Sequence, residues 1–276
     1  MYPEVLAIAK KIRSGEIHGT KAIARNSLLA VSRVIDDKNF MLKKEETVMS
    51  LVKPGSPLAF NLLRAILHAG KVEDVKKIIK FGLKYLGDAK LEVAKHGLEL
   101  VKEGDNILTA SYATNVMELL LEASETKDFK VFVMRSGPNN RGVRTAKELY
   151  EAGINVTLIG DTAVNYFMPE VNKVIVGGVA VTKFGLIDQV GVSTMAVCAQ
   201  FNRIPFYSCI EYLKVSDRLI VDEKPAAELS NEVPVRNPAY DLTRNSLITE
   251  YVTDLGRMEP AKFYEKARQR VERLIE

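Results

Sequence analysis

Four breaks between apolar runs carry the residue types that this sequence could use for chemistry. Together they supply glycines and hydroxyl, carboxyl or guanidinium groups, and they lie at 109–112, 135–142, 160–161 and 177–178. If each break follows a strand of a parallel sheet, the carboxyl ends of the strands bring all four to one edge. Glycine-containing loops that lead into helix N-termini favour anions such as phosphate. The alternative is that each loop needs its glycine and its cap for structural reasons alone.

The first interpretation predicts a pocket for a sugar phosphate or a nucleotide. Arg135, Arg141 and Arg144 would add positive charge to the same neighbourhood. The 135–142 loop matches neither GxGxxG nor a P-loop, so neither a dinucleotide nor a nucleoside triphosphate is indicated. The candidate ligand-binding residues are Ser111, Tyr112, Arg141, Gly142, Asp161, Gly177, Gly178 and Asp188.

Groups that could perform catalysis are harder to find. Ser111 has no neighbouring histidine in sequence, and no G-x-S-x-G elbow surrounds it. Asp188 could be a general base, but we favour a role as the cap of a helix that begins near Ser193. Asp161 or Thr162 could likewise cap the helix that follows. No catalytic residue is therefore assigned from the residues alone.

The bulk properties exclude several classes of protein. Of the 276 residues, 47% are hydrophobic and 27% are charged, and the formal charge is only +4 with both signs interleaved, which does not indicate nucleic-acid binding. The two cysteines, Cys198 and Cys209, lie among apolar residues and are predicted to be buried thiols. The three histidines lack partners at ligand spacing, so neither a metal nor a cofactor is expected. Without a membrane span or signal peptide, we expect a cytoplasmic protein.

Two regions of different periodicity organise the chain. Apolar residues repeat at helical spacing up to the Glu103-Gly104-Asp105 break, and the Pro-Gly-Ser-Pro segment at 54–57 interrupts them. We predict separate helices over 72–86 and 89–101. After residue 105, short apolar runs at 107–109, 131–134, 156–159, 174–176 and 206–208 alternate with helical segments. This alternation is typical of βαβ units and a parallel sheet. The prediction is an α/β protein with a helical domain over 1–104 and a Rossmann-like domain over 105–276.

Several segments, taken in order, resemble one protein superfamily. They are Ile-Leu-Thr-Ala-Ser-Tyr at 107–112, Pro-Asn-Asn-Arg-Gly at 138–142, and Val-Thr-Leu-Ile-Gly-Asp-Thr-Ala-Val at 156–164. Val-Ile-Val-Gly-Gly at 174–178, Gly-Leu-Ile-Asp-Gln-Val-Gly at 185–191 and Asn-Pro-Ala-Tyr-Asp-Leu-Thr at 237–243 complete the set. The chain resembles the alpha, beta and delta subunits of translation initiation factor 2B. The same superfamily contains the methylthioribose-1-phosphate and ribose-1,5-bisphosphate isomerases.

The differences from the isomerases fall on the residues that matter for catalysis. Where the isomerases have a catalytic cysteine in Thr-His-Cys-Asn, this chain has Ser111, and where they have the aspartate of Gly-Ala-Asp it has Val179. Their Arg-Pro and Gln-Gly sugar-phosphate contacts correspond to Gly137-Pro138 and Arg141-Gly142. Their Asn-Lys corresponds to Asp188-Gln189, with one residue missing nearby. General acid–base catalysis needs a group of suitable pKa, which neither an unactivated hydroxyl nor an isopropyl group supplies.

The resemblance therefore implies a non-catalytic, archaeal-type homologue of initiation factor 2B. Such a protein is expected to function in protein biosynthesis by binding the alpha subunit of initiation factor 2. It is also expected to be a homodimer through its C-terminal domain, with the apolar stretches 192–198 and 206–210 as candidate contact surfaces. The alternative is a sugar-phosphate isomerase whose altered site uses Ser111, Asp161 or Asp188. A third reading is a scaffold or metabolite sensor that retains the phosphate pocket.

Overall fold

The computed structural model describes residues 1–53, 55–218, 223, 229–230 and 232–276. They form two compact units. The first comprises Met1–Ala89, Tyr212–Ser216 and Glu265–Glu276, and the second comprises Lys90–Glu211 and Asp217–Tyr264. Along the first half of the chain, the two compact units divide between Ala89 and Lys90. The domain boundary that we predicted from the sequence, at 104/105, stays a prediction. No helix among the described residues is long and apolar enough to cross a bilayer.

The first unit is built on helices. They are α1 (Pro3–Ser14), α2 (Thr20–Val34), α3 (Phe40–Leu51), α4 (Pro57–His68) and most of α5 (Val72–Gly97), and α10 (Pro260–Ile275) returns late in the chain. Two features differ from the sequence prediction. Helix α3 was missed because exposed Leu42 and Met49 obscure the periodicity of its buried side. The predicted interruption near Gly87 is wrong, since one glycine costs a helix only about 1 kcal/mol.

The second unit is an α/β layer around a sheet of seven described strands. The sheet contains β1 (Asn106–Ala110), β2 (Lys130–Met134), β3 (Asn155–Ile159), β4 (Lys173–Val176), β7 (Phe206–Cys209), β9 (Glu250–Thr253) and β10 (Gly256–Met258). Their order is β10-β9-β7-β4-β1-β2-β3, and all neighbours are parallel except β9 and β10. The helices are α6 (Thr114–Ser124), α7 (Arg141–Glu151), α8 (Val164–Phe167) and α9 (Val192–Phe201). The predicted fold class is confirmed.

A second, antiparallel sheet was not predicted. It has the order β5-β6-β8, with β5 at Ala180–Thr182, β6 at Gly185–Gln189 and β8 at Tyr240–Arg244. Segment 185–191, in which we predicted no strand, is mainly strand β6. Its pairing with β8 joins residues more than fifty positions apart, which a local pattern cannot reveal.

One of the two candidate dimer surfaces is wrong. Segment 206–210 contains β7, which is hydrogen-bonded to β4 on one side and to β9 on the other. Phe206, Cys209 and Ile210 are buried within the unit itself. An apolar run in the middle of a parallel sheet is apolar because both of its faces are covered. The other candidate, segment 192–198, forms most of α9.

Candidate functional site

The predicted loops do meet at one edge of the large sheet. Ser111 follows β1, the 135–142 loop follows β2, Asp161 follows β3, and Gly177 follows β4. Because β4 and β2 pair with opposite sides of β1, the chain reverses direction across the sheet at β1. This switch point is where open α/β sheets place their ligand crevices. The backbone therefore supports the predicted position of the site.

Ser111 is held by a side chain that we did not select as a site residue. Its hydroxyl donates to the Oε1 atom of Gln189 at 2.7 Å. The Nε2 atom of Gln189 donates to the carbonyl oxygen of Gly137 at 2.9 Å, and also to that of Ser136. Ser111 and Gln189 are both buried. The Gln189 amide thus joins the end of β1 to the loop after β2. The signal in the sequence was the correspondence of Gln189 to the lysine of the isomerases' Asn-Lys pair.

Asp161 organises the same loop from the opposite side. Its carboxylate accepts hydrogen bonds from the backbone N–H groups of Ser136 (2.6 Å) and Gly137 (2.8 Å). It does not supply the helix cap that we considered. The amides of this dipeptide are therefore fixed by Asp161 and its carbonyls by Gln189. Each of the two hydrogen bonds that the Asp161 carboxylate accepts contributes about 1.5–3 kcal/mol to the free energy of unfolding.

Two serines in this network have left-handed backbone conformations. The φ angles are 58° at Ser111 and 65° at Ser136. Such a conformation costs on the order of 1–3 kcal/mol for a residue other than glycine. Hydrogen bonds offset this cost, since the Ser111 N–H donates to the Ser136 hydroxyl at 2.7 Å and Thr145 donates to the Ser111 carbonyl at 2.6 Å. Strain held in place by a closed network is a feature of functional sites and their remnants.

Two of the predicted glycines have a packing reason. A Cβ atom on Gly142 would lie 1.8 Å from the Met134 carbonyl oxygen, and one on Gly177 would lie 2.3 Å from the Cβ atom of Ala113. Any side chain at either position would push the β1, β2 and β4 loops apart. Gly142 and Gly177 therefore bring the loops together, and their presence does not itself require a ligand.

Tyr112 forms a cluster with α7. Its hydroxyl donates to Glu148 at 2.9 Å and accepts from Arg144 at 3.2 Å, and the Arg144 guanidinium lies 4.0 Å from the centre of its ring. Burial, followed by the nearby Glu148 carboxylate, raises the pKa of Tyr112. Arg144 is also paired with Glu148 at 2.7 Å. Its charge is therefore compensated, whereas Arg135 and Arg141 form no ion pair with any described residue.

The predicted cap at Asp188 is wrong. The carboxylate at the start of α9 belongs to Asp241, which accepts from the backbone N–H groups of Gly191 at 2.8 Å and Ser193 at 3.3 Å. Asp188 lies directly opposite Asp241 in the β6–β8 ladder and accepts instead from the backbone of Gln189. The sequence predicts that the N-terminus of this helix needs a hydrogen-bond acceptor. It does not predict that pairing of β8 with β6 places Asp241 there.

Asp241 gives the fold a pH dependence that can be tested. Burial raises its pKa from 3.8 to about 6, although the backbone N–H groups oppose the shift. Between these values the folded protein binds more protons than the unfolded chain, so the free energy of unfolding falls as pH rises from about 4 to about 6. The contribution is at most about 3 kcal/mol. We expect Asp241→Asn to remove it, so that wild type loses stability relative to the variant across this window in urea titrations. A constant difference would contradict this assignment.

The structure places Val179 and the two cysteines as follows. Val179 uses its backbone N–H to donate to Ile187 at 2.9 Å, and its side chain cannot exchange protons. Both cysteines are free thiols as predicted, but only Cys209 is buried, and the predicted burial of Cys198 is wrong because it is half-buried. Burial raises the pKa of the Cys209 thiol to about 12, so it cannot serve as a thiolate near neutral pH. Among the described residues no group of side chains could hold a metal ion.

A comparison with protein families decides the affiliation. The profile of the initiation factor 2 subunit family matches residues 16–260. The chain belongs to this family. The resemblance that we inferred from the loop motifs and the Asn-Pro-Ala-Tyr-Asp-Leu-Thr segment is thereby confirmed.

The relatives within the family carry two kinds of name. Ribose 1,5-bisphosphate isomerase from Archaeoglobus fulgidus is 31% identical, over 95% of this chain and 91% of the relative. The putative translation initiation factor eIF-2B subunit 2-like protein from Pyrococcus horikoshii is 29% identical, over 95% and 99% of the two chains. The crystal structure of translation initiation factor eIF-2B from Pyrococcus horikoshii superposes with a TM-score of 0.85 at 27% identity, covering 95% and 99%. Overall similarity thus leaves the isomerase and factor 2B readings both open, and the site residues must separate them.

Proposed function

We propose that this protein is a non-catalytic, initiation factor 2B-like regulatory subunit that binds the alpha subunit of initiation factor 2. The observation that carries the proposal is the Ser111–Gln189 hydrogen bond of 2.7 Å. At the position where the isomerases have a catalytic cysteine, the chain has a hydroxyl that donates to a neutral amide. An amide oxygen is far too weakly basic to remove that proton, so Ser111 lacks the activation that catalysis requires.

The closed hydrogen-bond network gives further support. Gln189 engages Ser111, Ser136 and Gly137 together, and a substrate that used any of these groups would have to displace it. An enzyme gains most when its polar groups are already directed at the position of the transition state. In this chain the polar groups of Gln189, Ser111 and the 136–137 backbone bond to one another, which favours a structural role for this network.

The proposed partner can be tested directly. Purified protein and the purified alpha subunit of initiation factor 2 should form a complex at micromolar concentrations in sedimentation and interferometry experiments. A paralogous isomerase of the family, carrying its cysteine and aspartate, is the matched control and should not bind. Failure of this chain to bind at tens of micromolar would contradict the proposed partner. If isomerase turnover were found as well, the alternative function would take its place.

A residual phosphate pocket is part of the proposal. Arg141 is the first residue of α7, is half-buried, and forms no ion pair with any described residue. A cation beside a helix N-terminus is a favourable place for an anion. Ribose-1,5-bisphosphate and AMP should therefore bind weakly in calorimetric titrations, and Arg141→Ala should reduce the affinity about tenfold, the equivalent of a charge-assisted hydrogen bond. Exposed Arg33 in α2 provides the control, Arg33→Ala. Equal affinities of the wild type and Arg141→Ala would contradict the pocket.

We propose a homodimer through the second unit. Helices α8 and α9 expose three large apolar side chains, Tyr166 (78%), Val197 (52%) and Phe201 (84%). An Asn202–Asn165 hydrogen bond of 3.4 Å joins these helices. A charge in the centre of an isologous interface is repeated by symmetry, so Phe201→Arg should give monomers in sedimentation velocity. Leu42→Arg on α3, where leucine is 86% exposed, should leave the dimer intact. A wild-type protein that is monomeric at micromolar concentration would contradict this expectation.

A further inference from the structure

A groove of about 530 Å³ lies between the C-terminal part of α5 and helix α6. It belongs to the second unit and includes no residue of the Ser111 network. Two leucines, four glutamates and one lysine line it: Leu91, Leu121, Glu92, Glu118, Glu122, Glu125 and Lys95. Its acidic character is opposite in sign to the chain as a whole, whose formal charge is +4.

Most of the negative charge in the groove is not neutralised by the described part of the chain. Glu118 forms an ion pair with Lys90. Glu92, Glu122 and Glu125 form none with the described residues, although Lys and Arg outnumber Asp and Glu in the chain. Because no cation of the described chain lies within ion-pair distance of these three glutamates, the groove keeps a net negative charge that a positively charged partner would complement.

The position of these carboxylates on α6 is locally unfavourable. Glu118 and Glu122 are four residues apart, and Glu122 and Glu125 are three apart, so like charges are neighbours on one helix face. Glu122 also lies in the last turn and Glu125 just beyond it, where the helix dipole disfavours anions, and no basic residue lies in that turn. A sequence that keeps an unfavourable local arrangement is expected to gain from it elsewhere.

The leucines specify what kind of cation would bind. Leu91 is 49% exposed and Leu121 is 36% exposed, one on each wall of the same groove. Neither a metal ion nor a small amine would bury them, and the described residues hold no metal-ligating cluster. Apolar walls within an acidic rim are complementary to an amphipathic helix with a basic polar face.

We propose that this groove binds a basic amphipathic helix of a protein partner. Residues 118–125 extend for about 10 Å along and just beyond α6, at 1.5 Å per residue, so a helix of about two turns would cover them. Apolar side chains at positions i and i+4 of that helix contact Leu91 and Leu121. Lysines or arginines on either side of this stripe pair with Glu92, Glu122 and Glu125.

A second copy of the chain is a poorer occupant. Two helices of the chain are comparably basic: α2, whose apolar side is buried, and α10, whose exposed cations are Lys262, Lys266, Arg268, Arg270 and Arg273. The apolar side of α10, with Phe263, Ala267 and Val271, is already buried. It could offer charge to the groove but nothing to cover the leucines.

The test uses a defined peptide and the full-length protein. The probe is a fluorescein-labelled helical peptide with leucines on one stripe and lysines beside it, and the control peptide has glutamate in place of each lysine. Only the basic peptide should bind, with micromolar Kd and weaker affinity at high salt. The double variant Glu122→Lys with Glu125→Lys, and separately Leu91→Ser, should each raise Kd about tenfold or more. Glu45 is exposed on α3, and Glu45→Lys should change Kd less than about twofold if the peptide is attracted by the groove carboxylates and not by the overall charge.

Three results would overturn the proposal. The first is no binding of the basic peptide at about 100 µM, well above the micromolar Kd that the proposal expects. The second is an equal loss of affinity in Glu45→Lys and in the groove variants, which would show attraction by overall charge. The third is a lower unfolding temperature of the Glu122→Lys, Glu125→Lys variant, since these carboxylates would then stabilise the fold.

Discussion

Purified protein should convert neither ribose-1,5-bisphosphate nor methylthioribose-1-phosphate at a rate typical of enzymes, about 1–10³ s⁻¹. Isomerisation moves hydrogen between adjacent carbons and needs groups that manage the protons on oxygen. Ser111 donates to the Gln189 amide, and Val179 can neither donate nor accept a proton. Each missing acid–base group should cost about 10²–10⁴-fold in rate. A coupled assay with each substrate measures the result, and turnover in the enzymatic range would establish the isomerase alternative.

We expect neither Asp161 nor Asp188 to supply the missing acid–base group. The Asp161 carboxylate is engaged by two backbone N–H groups, at 2.6 and 2.8 Å, on a different strand end from Val179. Asp188 lies on β6, and one of its oxygens accepts from the Gln189 backbone at 2.9 Å. Displacement of a catalytic group by as little as ~1 Å can cost 10²-fold. Both carboxylates accept hydrogen bonds from backbone N–H groups, and we expect this to hold them away from a catalytic position.

Introducing the isomerases' cysteine and aspartate at positions 111 and 179 tests whether the surrounding residues still support isomerase turnover. In Ser111→Cys with Val179→Asp the thiol would still face the Gln189 amide, so we expect little activity. Adding Gln189→Lys, the residue type that the isomerases have there, frees the Ser136 and Gly137 carbonyls from the amide. Turnover that appears only in the triple variant would identify Gln189 as the block. Strong activity in the double variant would show that the amide does not obstruct the site.

The sequence predicted features that depend on local pattern. The five parallel strands of segments 107–109, 131–134, 156–159, 174–176 and 206–208 were found because a buried strand is a short apolar run bounded by turns. The meeting of Ser111, Asp161 and Gly177 at one sheet edge followed from the geometry of parallel strands.

What could not be predicted depends on long-range pairing. The capping role of Asp241 exists only because β8 pairs with β6, and the roles of Gln189 and Asp161 exist only because their side chains reach the loop after β2. No spacing in the chain encodes these contacts. An aspartate before a helix is a plausible cap in any sequence, so Asp188 was chosen and the true acceptor, fifty residues away from Gly191, was missed.

The largest loss of stability is expected from Lys173→Met. Lys173 is buried at the start of β4, where its Nζ atom donates to Asp105 at 2.5 Å and to the Leu100 carbonyl oxygen at 2.6 Å. Removing the ammonium group leaves a buried carboxylate without its counter-charge, which typically costs about 3–5 kcal/mol. Urea denaturation should show this as a lower midpoint with an unchanged slope.

Two comparisons separate the buried charge from a general effect of the substitution. Lys77→Met removes an exposed pair with Asp74, 3.1 Å apart, and should cost less than about 1 kcal/mol. Lys173→Met combined with Asp105→Leu replaces both charges by apolar groups and should recover part of the loss, because buried pairs are often no more stabilising than such replacements. Recovery is incomplete because Asp105 also accepts from the Lys102 backbone at 2.6 Å. If the double variant were less stable than Lys173→Met by the full cost of Asp105→Leu, the two residues would be energetically independent, and the pair would not explain the loss.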